Sequence, residues 1–142
     1  MSIGNDLSVG SVSSDAPYQC VDTVEHRELK SLRTGELYSH AAVISELIGM
    51  KNLFVHHEII PPGRRASAPH IHSEQEEMIF VLEGTPIARL GDQAIQLKAG
   101  AFMGFKPGGP DAHFVENKSA EDVRLLVISP KRNADRVIFP GV

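Results

Sequence analysis

The chain has few of the residues on which several common classes of protein depend. Its 142 residues include a single cysteine, Cys20, and no tryptophan. One thiol excludes an intramolecular disulfide and a cysteine-based zinc site, and it is typical of a reducing compartment. No apolar run approaches the roughly 20 residues of a membrane-spanning helix, and the first residues lack the basic and apolar pattern of a secretory signal. We therefore expect a soluble, cytoplasmic protein without a membrane partner.

An excess of positive charge is also missing. With 14 Lys and Arg against 18 Asp and Glu, the formal net charge is −4 at pH 7. Sequence-independent binding to nucleic acid phosphates is therefore not expected. The sequence also lacks a Gly-x-Ser-x-Gly elbow, a P-loop and a dinucleotide-binding fingerprint. A small-molecule ligand or substrate is the partner that remains.

The composition changes along the chain. Residues 1–16 are rich in Ser and Gly and predict a flexible N-terminal segment, and residues 17–142 are long enough for a single domain. From Glu36 onward, short apolar runs alternate with Gly and Pro, which is typical of an all-β domain. Val21–Leu32 is the stretch whose periodicity could be helical. The predicted strands are Leu37–Ile48, Lys51–Ile60, Glu77–Leu82, Ile87–Leu90, Ala94–Leu97, Ala101–Phe105, His113–Glu116 and Asp122–Ser129.

Two of these strands, Glu77–Leu82 and Asp122–Ser129, contain nearly continuous apolar runs, which predict burial on both faces. A single barrel buries only the inner face, so the outer face must be covered and a homodimer is expected. A cover could also come from the N-terminal half, within the same subunit or exchanged with a partner. The short apolar strand Arg136–Phe139 could pair across the interface. The covering residues would be Val43, Ile44, Leu47 and Ile48.

Two histidines separated by one residue, His70 and His72, form the first candidate site. Side chains at positions i and i+2 of a strand point to the same face, so both imidazoles could bind one ion. Glu77 opens the next predicted strand, and His113 opens another just after the Pro107–Pro110 turn. A mixed imidazole and carboxylate set suits Fe, Mn, Ni or Zn rather than Ca. The prediction is one divalent metal ion per chain.

Each part of this pattern has a more ordinary explanation when taken alone. A His-x-His pair is often a surface or core feature, and the acidic run Glu74–Glu77 is typical of a solvated face. A lone histidine at a strand start, such as His113, is more often structural. His56 and His57 are adjacent in a predicted strand, so one of them must face inward. That histidine could contact a substrate or be a satisfied core residue.

The segment Gly63–Gly84 resembles the first motif of the cupin family. It runs from a glycine, through His70-x-His72 and Glu77, to a closing glycine. The neighbouring Glu76 is a competing carboxylate, since either spacing from the second histidine occurs in the family. Glu77 is preferred because it lies at the usual distance before the closing glycine.

The segment Gly100–Asn117 resembles the second cupin motif, in which a Pro-x-Gly is followed by a histidine and an asparagine. Pro107 and His113 take these positions, each preceded by one extra residue relative to the family pattern. The extra residues fall in turns, and the spacing from His113 to Asn117 is the usual one. The resemblance covers roughly Lys51–Ser129.

The resemblance implies a double-stranded β-helix, which is a jelly-roll barrel of two sheets. It also implies that His70, His72, Glu77 and His113 are the metal ligands. Cupins include dioxygenases, isomerases, epimerases, decarboxylases and non-catalytic binding proteins, so the fold does not fix the reaction.

The leading functional hypothesis is a metal-dependent enzyme with oxygenase or isomerase-type chemistry on a small molecule. Three or four protein ligands leave positions on the metal for a substrate, water or dioxygen. A cupin that binds or senses a small ligand without catalysis is the alternative. A barrel with a vestigial site that associates with a partner is a third possibility.

Overall fold

The computed structural model describes residues 17–131 and 133–141, so the expected flexible segment over residues 1–16 lies outside the described residues. These residues form β-strands joined by turns, with one short helix, α1, and one 3-10 turn at Val21–Thr23. The elements in chain order are β1 Arg27–Lys30, β2 Leu37–Ala42, α1 Ile44–Leu47, β3 Leu53–Ile60, β4 Ile71–His72, β5 Glu77–Glu83, β6 Ile87–Leu90, β7 Gln93–Gln96, β8 Phe102–Phe105, β9 His113–Glu116, β10 Val123–Pro130 and β11 Val137–Ile138.

The strands form a jelly roll of antiparallel sheets, which confirms the predicted fold class. The larger sheet has the order β1-β2-β3-β10-β5-β8, the smaller has the order β7-β6-β9, and β11 pairs with β4. Buried apolar side chains from both sheets pack together between them, and this contact removes apolar surface from water. The core residues are Ile60, Ala66, Ile79, Phe105, Val115, Val123, Leu125 and Val127.

Strand β5 shows how alternation places a polar group in the interior. Glu77, Ile79 and Val81 are buried, whereas Met78 and Leu82 are 37% and 43% exposed. Successive side chains of a strand point to opposite faces, so Glu77 shares the inner face with two core residues. The expectation that this strand is buried on both faces is therefore wrong for the single chain.

The turn after β5 explains the closing glycine of the first motif. Gly84 has a φ of +90°, a region that favours glycine, and a Cβ there would lie 2.8 Å from the carbonyl oxygen of Asp122. The turn therefore brings the end of β5 close to the start of β10.

Two sequence predictions fail in the N-terminal part. The predicted strand Leu37–Ile48 stops at Ala42, and α1 follows, because Ser45 exchanges hydrogen bonds with the backbone of Val55 instead of continuing the ladder. The possible helix over Val21–Leu32 is instead the 3-10 turn and β1. Strand β1 pairs with β2 and buries Leu29.

The C-terminal strand β11 lies beside β4. Val137 pairs with His72 and Ile138 pairs with Ile71, so β11 completes a ladder within its own chain. One edge of this strand is therefore used within its own chain, and pairing of Arg136–Phe139 across an interface stays a prediction. Among the helices of the described residues, none has the length and apolar character to cross a membrane.

Candidate metal centre

Backbone pairing brings the three histidines of the candidate site together. His70 and His113 exchange two backbone hydrogen bonds of 3.1 and 3.0 Å, although they are far apart in sequence. Their ring centroids are 4.4 Å apart, and the ring of His72 lies 5.1 Å from that of His70. Phe105 stacks on His113 at 3.9 Å, with planes only 3° apart, and so fixes the orientation of that ring.

Glu77 completes the group from the first position of β5. His113 Nε2 donates a hydrogen bond of 3.0 Å to Oε1 of Glu77, and Oε2 lies 3.3 Å from Nε2 of His72. One possible ligand atom from each of the four residues lies within 4.8 Å of the others, and all four side chains are buried. Glu76 is exposed, so the structure brings Glu77 and not its neighbour to the three histidines.

The ring nitrogens test whether this group fits a metal ion. His70 donates from Nδ1 to the carbonyl oxygen of Ala68 at 2.9 Å, and His72 donates from Nδ1 to Asp135 at 2.8 Å. With a proton on Nδ1, each neutral ring has a lone pair on Nε2. Both Nε2 atoms are buried without a hydrogen-bond partner among the described residues. Such unpaired buried acceptors are costly unless a cation or donor meets them, so the residues fit a divalent metal ion.

The electrostatics also suit a cation. Burial alone would raise the pKa of Glu77, but the hydrogen bond from His113 and the close approach of the His72 imidazole, whose Nε2 lies 3.3 Å from Oε2, hold it well below its usual value, so Glu77 is ionised at neutral pH. Burial lowers the pKa of His70 to about 4, so this imidazole is neutral. A metal ion binds the deprotonated forms of both side chains.

Asp135 is a residue of this candidate site that the sequence predictions missed. Its Oδ2 accepts the bond from His72, and its Oδ1 accepts 2.9 Å bonds from the backbone N–H groups of Glu74 and Gln75. Burial would lower the pKa of His72, but the carboxylates of Glu77 and Asp135 raise it above its usual value. Asp135 therefore orients His72 and makes it more basic, as partners of metal-binding histidines commonly do.

Glu58 is a second residue that the sequence predictions missed. Beside the four candidate metal ligands lies a cavity of about 20 Å³, enough for about one water molecule. Glu58 lines this cavity together with His70, Glu77 and His113. The remaining lining is mainly apolar, with side chains such as Ile79, Phe105, Leu125 and Val127.

The adjacent histidines of β3 separate as predicted. His56 is fully buried on the inner face, whereas His57 lies on the other face, where its Nδ1 is 2.8 Å from Nε2 of His26. Asn117 of the second motif is also fully buried. It donates to the carbonyl oxygens of Ile60 and Glu121 at 2.8 and 2.7 Å, so its role is to hold the loop after β9.

This jelly roll positions three histidines and a glutamate, beside an internal cavity, where they could bind one metal ion. A sequence model of the cupin domain matches residues 56–129, just over half of the chain and a range that includes all four donors. The chain belongs to the cupin family, which confirms the resemblance seen in the two motifs.

Solved structures give the same fold. A sugar phosphate isomerase of the cupin superfamily from Silicibacter pomeroyi superimposes with a TM-score of 0.80 at 21% identity, covering 89% of this chain and 83% of that one. The polyketide cyclase RemF from Streptomyces resistomycificus gives a TM-score of 0.69 at 21% identity, covering 87% and 86%. A predicted oxalate decarboxylase from Thermotoga maritima gives 0.67 at 18% identity, covering 81% and 99%. No match was found among curated protein sequences.

Proposed function

We propose that this cupin is a metal-dependent enzyme that acts on a small molecule. His70, His72, Glu77 and His113 would hold one divalent ion. This proposal is supported by Nε2 of His70 and Nε2 of His72, which are buried next to an ionised carboxylate and have no hydrogen-bond partner in the described part of the chain. Four protein ligands leave room in the coordination shell of a metal such as Fe, Mn or Ni.

The reaction class is oxygenase or isomerase-type chemistry. When bound, the ion would supply Lewis-acid polarisation or a site for dioxygen. The apolar lining of the cavity would exclude bulk water from a bound molecule, which strengthens electrostatic interactions there. The isomerase and the cyclase among the structural neighbours make rearrangement of a small molecule the first reaction to test.

The second candidate is a cupin that binds or senses a small ligand without turnover. The size of the cavity favours it, since about 20 Å³ admits little more than one water molecule without rearrangement. A ligand would then bind at the mouth of the site, with the metal ion organising its polar groups.

A turnover assay separates the two candidates. The protein is loaded with Fe(II), Mn(II), Ni(II) or Zn(II) and given a panel of sugar phosphates, small carboxylic acids and polyketides, and its metal-depleted form is the control. Metal-dependent product formation that is lost in the His70→Ala, His72→Ala double variant supports an enzyme. Ligand binding to the loaded protein without product for any panel member would support the second candidate.

We also propose a cytoplasmic homodimer. The outer face of the larger sheet carries Met78, Phe80, Leu82 and Phe102, and Phe102 is 71% exposed. A row of large apolar groups is unusual on the surface of a soluble monomer, and burying each is worth roughly 1.5–3 kcal/mol. The exposed thiol of Cys20 fits a reducing compartment. Sedimentation equilibrium at micromolar concentration tests the dimer, and a mass near 15.5 kDa would contradict it.

A further inference from the structure

The cavity contains a second carboxyl group, Glu58, which lies on the inner face of β3. This strand is inside the larger sheet, paired with β2 on one side and β10 on the other. Glu58 lies opposite Ala41 of β2 and Leu125 of β10, and it is 2% exposed. A glutamate in the middle of a central strand is rare unless it is paired or has a function.

The contacts of Glu58 satisfy only half of the carboxyl group. Ser39 donates from Oγ to Oε1 at 2.7 Å, while Oε2 lies 3.6 Å from Nδ1 of His56, beyond hydrogen-bond distance. Neither ring nitrogen of the fully buried His56 has a hydrogen-bond partner among the described residues. Among residues 17–131 and 133–141, no hydrogen bond or ion pair joins Glu58 to one of the four candidate metal ligands. An acid and an imidazole therefore face each other inside the protein without a bond.

The charges around Glu58 favour its neutral form while the centre holds no cation. Burial, together with the Glu77 carboxylate, raises the pKa of Glu58 to about 7, against the effect of the Ser39 hydrogen bond. Burial also lowers the pKa of His56 to about 4, so no cation on β3 balances Glu58. Other elements also contribute residues to the lining of the cavity. Among these, His70 and His113 contribute imidazole rings, and Leu125 contributes an apolar side chain.

A divalent ion would reverse this balance. Glu77 alone places a negative charge near Glu58, whereas Glu77 with a dication places a net positive charge there. Bound cations are often the largest local charges and invert the electrostatics of neighbouring acids. His56 already lies beside Oε2, so a small movement would let Nδ1–H donate to the ionised carboxylate. The ionised form would then have two donors, Ser39 and His56.

We propose that Glu58 is the proton-exchanging group of this cavity: a neutral acid while the centre is empty, and a carboxylate base once a divalent ion is bound. On metal binding, the O–H bond of Glu58 breaks, the electron pair stays on the carboxylate and the proton passes to the buffer. The loaded site then holds a base next to the position of a bound small molecule. This inference rests on the metal site of the proposed function and adds to it the general base that the four ligands do not provide.

The test is titration of the full chain with Zn(II) alone near pH 6.5, in buffers that differ in ionisation enthalpy. Parent protein, Glu58→Gln and the exposed control Glu25→Gln are compared. Gln has the shape of a neutral Glu and keeps the acceptor for Ser39, so the fold should be retained. We expect the parent and Glu25→Gln to release up to about one more proton per ion than Glu58→Gln, because the group is protonated in one state and ionised in the other. Infrared difference spectra should show that zinc removes a neutral carboxyl band, and this loss should be absent in Glu58→Gln.

The outcomes separate this inference from the proposed function. The role of Glu58 would be overturned if all three proteins bound stoichiometric zinc with equal proton release. It would also be overturned if Glu58→Gln bound zinc and showed the same carboxyl band change as the parent. Either result would leave the metal site intact. Failure of the parent protein to bind zinc would contradict the proposed metal site itself, and the role of Glu58 would fall with it.

Discussion

Two pairs of histidines lie close together in this sequence, and strand geometry gives them different surroundings. His70 and His72 are two residues apart, so both rings lie on the same side and meet His113 and Glu77. His56 and His57 are adjacent, so β3 sends one ring inward and the other to the opposite face. The comparison teaches that spacing within a strand, rather than the number of histidines, decides whether a pair can share one ion.

The inward-facing rings of His72 and His56 also differ in the contacts that hold them. His72 lies between two carboxylates, Glu77 and Asp135, which raise its pKa. His56 lies among buried groups, 3.6 Å from Glu58 and with its ring centroid 5.1 Å from that of Phe54. The first ring is oriented for a ligand by a hydrogen bond, and the second is held by packing.

The largest effect on metal binding is expected when His70 and His72 are both removed. Replacing His70 and His72 together with Ala should abolish stoichiometric metal binding and leave a folded protein, because two of four ligands are lost. The matched control is the double variant His26→Ala, His57→Ala, which removes a hydrogen-bonded histidine pair outside the centre. Elemental analysis after dialysis against metal checks this. Equal metal content in the two double variants would refute the distinction between the pairs.

The pH dependence of stability tests whether His56 is a buried, neutral imidazole. Burial lowers its pKa from 6.5 to about 4, so between these values the unfolded chain binds a proton that the folded protein does not. The contribution of His56 to the free energy of unfolding should therefore rise with pH through this window and level off above it, by on the order of 3 kcal/mol. Urea unfolding of metal-depleted protein measures it. His56→Leu should flatten this rise. The partly exposed control His40→Gln should keep the parent curve. A His56→Leu curve parallel to the parent curve would argue against a buried neutral imidazole.

The carboxylate ligand gives a smaller effect. Glu77→Gln should weaken metal binding by about 10–100-fold, because a neutral amide replaces the ionised oxygen donor. Glu76→Gln, on the exposed face of the same segment, should bind the ion like the parent protein. Competition with a chromophoric chelator gives both affinities. If Glu76→Gln proved the weaker binder, the ligand assignment would move to that residue.

Sequence reasoning was accurate where the information is local. Glu77 opens β5 as predicted, and the strands Ile87–Leu90 and His113–Glu116 have their predicted bounds. The residues of the centre could be named because the spacing of His70 and His72 puts both rings on one face of a strand, and because the resemblance to the two cupin motifs implies Glu77 and His113 as their partners.

The residues that escaped prediction depend on contacts between distant parts of the chain. Asp135 reaches His72 across 63 positions. The apolar pattern of Arg136–Phe139 predicts a strand there, but not its pairing with β4, which brings Asp135 to His72. Glu58 is buried by the pairing of β3 with β2 and β10, whereas a glutamate beside two histidines in a sequence is equally compatible with a solvated face. Neither pairing can be read from local periodicity.

The smallest effect on metal binding is expected from a change to Asp135, which orients the ring of His72. Asp135 uses both oxygens, one for His72 and one for the backbone of Glu74 and Gln75, and Asn has one oxygen and cannot serve both. Asp135→Asn should therefore weaken metal binding about 10-fold and change the visible spectrum of the Co(II) form, because the ring shifts. Asp92→Asn, in the exposed turn after β6, is the control. An unchanged affinity and spectrum would show that the backbone alone orients His72.

X-ray absorption at the metal edge tests the central claim most directly, using full-length protein loaded with one equivalent of Zn(II). The account predicts light-atom ligands at about 2.0–2.1 Å, with imidazole scattering that corresponds to three histidines. Zinc in a shell of oxygen ligands without imidazole scattering would contradict a centre built from His70, His72, Glu77 and His113.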